Sequence, residues 1–256
     1  MISPQAIIDK QAKIASDVTI EPFAIIGPNV ELGSGSWVGP NAIVKGPTKI
    51  GKNNKIYQFC SIGIECQDKK YNGEPTTLEI GDNNIFRESC TVHRGTALDK
   101  KTTKIGNNNL FMVNSHVAHD CIIGDNVVFS NGASIAGHVK VQNNATLSGF
   151  VGVNQFCNIG AYSFAAGGSI IIKDVMPFVI VAGHPAKVCG INLVGLERAN
   201  FSGKLIDAIK QAYKIVFVSS RTTLDAVKKL IPLADQHNQI QTYIDFLQQS
   251  ERGILR

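Results

Sequence analysis

No stretch of the 256 residues is apolar for long enough to cross a bilayer, which argues against stable membrane insertion as a helix. The opening Met1-Ile2-Ser3-Pro4 lacks the basic start and apolar run of an export leader, so a cytoplasmic protein is expected. CxxC pairs are missing although there are six cysteines, which excludes a zinc ribbon and a dithiol redox motif. A disulfide framework would be out of place in a chain with this much core-forming material. Cys60, Cys66, Cys90, Cys121, Cys157 and Cys189 are therefore expected to be free. Charge is scarce too: charged residues make up 18% and the net charge is +5, too weak a surplus to argue for nucleic acid. Residues 196–256 carry nine Lys/Arg against six Asp/Glu, a bias that suits an acidic partner or phosphates as well as a solvated surface.

What the chain does have is a repeat. Every sixth residue from Ile8 is aliphatic through Ile14, Ile20, Ile26, Leu32, Val38, Val44, Ile50, Ile56 and Ile62. The series breaks for 63–79, resumes with Ile80, Phe86 and Val92, and breaks again for 95–104. It then runs from Ile105 through Phe111, Val117, Ile123, Phe129 and Ile135 to Ile171. A period of six fits neither a helical face nor strand alternation. It fits a short strand and a turn, stacked coil upon coil, which is the signature of a parallel β-helix. Each anchor then points into a narrow tube. The residue four places later is expected to be small for lack of room, as at Ala12, Val18, Ala24, Ser36 and Ala42. Cys60, Cys90, Cys121 and Cys157 occupy that slot and are read as interior packing, not nucleophiles.

Near residue 192 the pattern changes. Residues 1–191 are assigned to the β-helix with its two inserted loops, and 192–256 to a small helical domain. Ser202 is expected to cap a helix over 203–219, and Thr222 or Thr223 to start another that Pro232 ends. A third helix is expected within 238–250.

Against this frame, 114-NSHVAHDC-121 stands out. Counted from the anchors, His116, His119, Asp120 and His138 all fall on outward slots, so a buried core histidine does not explain them. If three hexads complete a coil, residues eighteen apart stack at about 4.8 Å. His119 then lies against Gly137 with Gln155 one coil on, and Asp120 lies against His138. Such convergence favours a site over scatter. Two chemistries compete: His119 as a general base toward a hydroxyl, or a zinc site of His116, His119 and His138.

The segments 53-NNKIYQFCSIG-63, 67-QDKKYNGEPT-76, 87-RESCTVHRGT-96, 114-NSHVAHDC-121, 135-IAGHV-139, 154-NQFCNIGA-161, 191-INLVGLER-198 and 252-RGILR-256 are spread along essentially the whole chain. Through them the chain resembles the acyl-carrier-protein–UDP-N-acetylglucosamine O-acyltransferases of bacterial lipid A synthesis. The resemblance implies a left-handed β-helix with a helical C-terminal domain, assembled as a homotrimer with active sites between subunits. It implies transfer of an (R)-3-hydroxyacyl chain from acyl carrier protein to the glucosamine 3-hydroxyl of UDP-N-acetylglucosamine. In that reading His119 is the base, Asp120 sets its orientation and charge, and the Gly137 N–H stabilises the oxyanion. Asp68 and Lys70 contact the sugar nucleotide from the first insert, and His116, His138 and Gln155 line the sugar and acyl pocket. Asn192 and Arg198 begin the helical domain, where Arg198 meets the diphosphate. Gly167 sets acyl length, and as a glycine it leaves room for a long chain. No cofactor or metal is implied. Asn154 and Ala199 depart from members that carry histidine and arginine there. Three alternatives stand beside this reading: the N-acyltransferase of the same pathway, a γ-type carbonic anhydrase, and a non-catalytic hexapeptide scaffold.

Overall fold

Each hexad folds as a strand of two residues or slightly more, followed by a turn, and successive strands fall in rotation onto three flat faces. The computed structural model describes residues 1–97, 99–220 and 222–256. Three sheets of nine, eight and ten strands, parallel but for the last strand of the ten, form the three sides of a triangular tube. Coil-to-coil register is eighteen residues where no insert intervenes, as in Ile7↔Ile25↔Ile43 and His116↔Ser134↔Gly152. At the inserts the partners are Ser61↔Thr91 and Thr91↔His116, so the extra residues loop out and the stack continues. The excursions are shorter than the breaks in the repeat. Pairing with neighbouring coils extends the flanking strands to Ile64 and from Thr77, and to His93 and from Thr102. Corner residues adopt positive φ, which explains the asparagines at 29, 53, 83, 108, 126 and 144, since asparagine tolerates the left-handed region. Asp120 and His138 are the corner residues of successive coils, at φ 56 and 64.

The anchors fill the tube. Phe86 and Phe111 stack at 4.8 Å with planes 1° apart, and Phe129 follows at 5.1 Å. Cys60, Cys90, Cys121 and Cys157 are interior and free. Burial pushes the Cys121 and Cys157 thiols up to about 12 and about 11, so neither is a ready nucleophile. The expectation of uniformly small residues beside the anchors is corrected in one column. Asn54, Asn84 and Asn109 are fully buried there. Asn84 N–H donates to Asn54 Oδ1 at 2.9 Å, Asn109 N–H to Asn84 Oδ1 at 3.0 Å, and Val127 N–H to Asn109 Oδ1 at 2.7 Å. That corner has room for an amide, and the ladder satisfies its polar atoms.

The outer surfaces differ. Along the eight-stranded face Lys13, Glu31, Lys49, Glu79 and Lys104 lie in register with alternating sign, and Lys13–Glu31 and Glu79–Lys104 pair at 2.8 and 3.0 Å. The corresponding outward positions of the other two faces include Ile7, Ile25 and Ile43, and Ile85, Leu110 and Val128. Phe23, Phe59 and Phe150 project from the corner between those two faces.

An antiparallel hairpin, Val179–Gly183 with Ala186–Ile191, closes the ten-stranded face and was not foreseen from the repeat. Helix α1 (Leu193–Arg198) follows, then α2 (Gly203–Lys214) running into a π-helical turn, Ile215–Ser219. Ser202 caps α2 as expected, its Oγ accepting from Leu205 N–H. Thr222 caps α3 (Thr223–Ala234), which runs through Pro232 instead of ending there. The proline removes one N–H, but the buried Ala226, Leu230 and Ala234 hold the last turn in place. Helix α4 spans Gln241–Gln249 after a short 3-10 turn.

Candidate active site

The corner where the nine-stranded face turns into the eight-stranded face carries His119, Asp120 and His138. The His119 ring is only 14% exposed, and its Nδ1 lies 3.0 Å from Asp120 Oδ2. Sequence neighbours pair directly here because the left-handed backbone of Asp120 turns its carboxylate back beneath the imidazole. Asp120, although outside the tube, is buried, because the 95–104 segment covers it. The same Oδ2 accepts from Thr96 Oγ1 at 2.6 Å and from Thr96 N–H at 2.9 Å. Burial pushes the Asp120 carboxyl up, but the hydrogen bonds from His119 and Thr96 outweigh it and hold the group below its ordinary value of 3.8. Asp120 is therefore an anion at neutral pH. In the neutral ring it holds the His119 proton on Nδ1 and leaves Nε2 as the acceptor.

Gly137 lies against that nitrogen. A Cβ there would come within 2.5 Å of His119 Cε1 and 2.6 Å of Nε2, so only glycine lets the backbone approach. His138, one coil on, packs edge-to-face on His119 at 5.0 Å and stacks on Phe156 at 4.4 Å. Its Nδ1 meets Asp99 Oδ2 at 2.8 Å. In front of these groups lies a cleft of about 610 Å³. Its walls include Asp68 and Lys70 from the first insert, Gln155 from the next coil and Lys140.

Other expected residues lie elsewhere. His116 does not line this cleft; its Nδ1 meets Thr91 Oγ1 at 2.7 Å and its ring packs against His93 at 4.8 Å. The donor atoms grouped within 4.8 Å of one another are those of His119, Asp120 and His138, not the three histidines of the zinc reading. Nδ1 of each of these histidines already faces a carboxylate. Asn192 and Arg198 line a second cleft of about 700 Å³ on the ten-stranded face, with Tyr162 and Phe164. Asn192 also has structural duties: it caps α1 through Gly195 N–H and donates to Tyr162 O at 2.8 Å. Gly167 is exposed in the turn between the ten- and nine-stranded faces, at a different corner from His119.

Residues 102–137 match the family profile described as bacterial transferase hexapeptide (six repeats), and residues 174–255 match that of UDP N-acetylglucosamine O-acyltransferase, domain 2. An acyl-[acyl-carrier-protein]–UDP-N-acetylglucosamine O-acyltransferase of Thiobacillus denitrificans is 47% identical over 255 residues, spanning 100% of this chain and 99% of that one. The one of Stutzerimonas stutzeri is 44% identical over 256 residues, with the same coverage. This chain belongs to the acyl-[acyl-carrier-protein]–UDP-N-acetylglucosamine O-acyltransferase family. The crystal structure of the Moraxella catarrhalis UDP-N-acetylglucosamine O-acyltransferase agrees with it at a TM-score of 0.98 and 45% identity, over 100% of this chain and 99% of that one. As a member of the O-acyltransferase family the chain is an acyltransferase, and its β-helix is left-handed, against the usual right-handed rule for parallel crossovers.

For an O-acyltransferase built this way, sequence reasoning missed Thr96, Asp99 and His93. The first two sit on the 95–104 insert, where the only signal was a shift of frame. His93 is buried beside His116, where burial and the neighbouring His116 push its pKa down to about 4.

Proposed function

We propose that the chain transfers an (R)-3-hydroxyacyl group from acyl carrier protein to the 3-hydroxyl of UDP-N-acetylglucosamine, with His119 as general base. The observation that carries this is the pairing of His119 Nδ1 with Asp120, which leaves Nε2 facing an open cleft beside the Gly137 backbone. Nε2 takes the hydroxyl proton as the sugar oxygen attacks the thioester carbon. The Gly137 N–H receives the developing oxyanion, and the carrier thiolate leaves with the proton from the imidazolium. The thioester is already activated, so no covalent enzyme intermediate is required. Asp68 and Lys70 are suited to hold the sugar nucleotide from the cleft wall, with His138 and Gln155 nearby.

The active assembly in this reading is a homotrimer in the cytoplasm. Two outer faces with apolar stretches, meeting at a corner with exposed Phe23, Phe59 and Phe150, suit subunit contact, while the charged ladder keeps the third face in water. Five buried thiols without a disulfide suit a reducing compartment. Arg198 and Asn192 then serve the diphosphate from the neighbouring copy, and Gly167 bounds the acyl groove. The test is mass analysis of the product made from UDP-N-acetylglucosamine and a mixed pool of 3-hydroxyacyl carrier proteins. A singly acylated sugar nucleotide with a long chain is expected, and none from His119→Ala; normal turnover by that variant would refute the mechanism.

A further inference from the structure

The 95–104 insert reaches the site from beneath and touches both cleft histidines through carboxylates. We infer that this insert is the positioning element of the site, with Thr96 and Asp99 as positioning residues that fix the rings of His119 and His138. The inference rests on the acyl-transfer reading for its kinetic part only.

Thr96 is buried and gives both of its donors to one oxygen of Asp120, the oxygen that meets His119 Nδ1. Three donors on Oδ2 leave the carboxylate one orientation, and through it the imidazole has one plane and one tautomer. The insert is seated tightly enough to hold this geometry. A Cβ on Gly95 would collide with the Thr102 backbone and sit 2.8 Å from Asp120 Oδ1, and Thr103 Oγ1 accepts from Asp120 N–H at 2.9 Å. Three residues after Thr96, Asp99 puts its carboxylate on His138 Nδ1 while Phe156 stacks on the ring. His138 is thereby held with its other nitrogen, Nε2, as acceptor. The two rings pack edge-to-face, so each restrains the other.

Thr96→Val removes the hydroxyl donor and keeps the shape; Thr96→Ser restores the donor. For folded Thr96→Val, kcat is expected to fall about tenfold or more, with KM for the sugar nucleotide within about threefold of the parent. Thr96→Ser is expected to recover most of kcat. Nitrogen-15 spectra of labelled histidine read the rings without turnover. They should show less Nδ1–H form of His119 in Thr96→Val, and His138 moving to the Nε2–H form in Asp99→Ala. Asp99 is exposed, so its variant reports even if Thr96→Val does not fold. Unchanged imidazole spectra in both variants, with kcat within about threefold of the parent, would overturn the inference. If the parent enzyme makes no acylated product while the spectra shift as described, the reaction assigned above fails and the positioning role stands.

Discussion

The two nitrogens of His119 have separate duties, and Asp120 decides which is which. Replacing Asp120 by Asn keeps the volume but turns the partner of Nδ1 into a group that can donate, so the free nitrogen no longer faces the cleft as a base. We expect kcat of Asp120→Asn to fall about 10²–10⁴-fold at saturating substrates. A fall of less than tenfold would mean that Asp120 acts only in folding. His93 makes a different prediction. It is buried and neutral, with a pKa near 4 against an ordinary 6.5. The unfolded chain therefore binds a proton between these values that the folded one refuses. The stability this residue contributes is present above pH 6.5 and is lost as pH falls toward 4, by up to about 3 kcal/mol. His116 is lowered by burial and by His119, and acts in the same sense. His93→Phe should flatten the loss measured by urea denaturation between pH 7 and pH 4.5 at fixed protein concentration; an equally steep loss would assign it to other groups.

Strands two residues long have almost no stability of their own, so each coil is held by what it stacks upon. This is why the strands were legible in the sequence. The period of six is the direct imprint of one anchor per side, and nearly all anchors from Ile20 onward are buried. The Val179–Ile191 hairpin and α1 lie outside that period, and their positions follow from packing on the ten-stranded face, which no local pattern encodes. The asparagine column was missed for a related reason: Asn54, Asn84 and Asn109 are unremarkable as polar residues until stacking aligns them. In Asn84→Val the buried Asn109 N–H and the half-buried Gly106 O lose their partners. At 1–3 kcal/mol for each orphaned group, a loss of about 2–5 kcal/mol is expected in chemical denaturation. Phe111→Ala, in the middle of the aromatic stack, should cost about 3–5 kcal/mol by leaving a cavity. Losses below 1 kcal/mol at both positions would show that the tube relaxes around its contents.

Outward positions eighteen residues apart could be aligned by counting, His119 with Gly137 and Gln155, and Asp120 with His138, so these residues were legible as one patch. The Asp99 and Thr96 supports were not, because an insert that breaks the repeat also breaks the register on which counting depends. Nor does one copy of the chain explain every expected residue. Asp68, Lys70 and His119 share one cleft, whereas Asn192 and Arg198 line another that has no residue in common with it. One substrate can meet both sets only if the cleft of one copy faces the ten-stranded side of the next. A closed ring of three would repeat that contact three times and cover the corner with exposed Phe23, Phe59 and Phe150. Subunit mixing tests this directly. The His119→Ala and Arg198→Ala proteins should each be weak. In a trimer reassembled from equal amounts, a working site needs its histidine from an Arg198→Ala copy and its arginine from a His119→Ala copy. Random assembly supplies that pairing in about a quarter of the sites. Activity should therefore rise on mixing toward about a quarter of the parent value. An activity that stays at the average of the two variants would place both residues in the service of one chain, and the subunits would then owe each other nothing in catalysis.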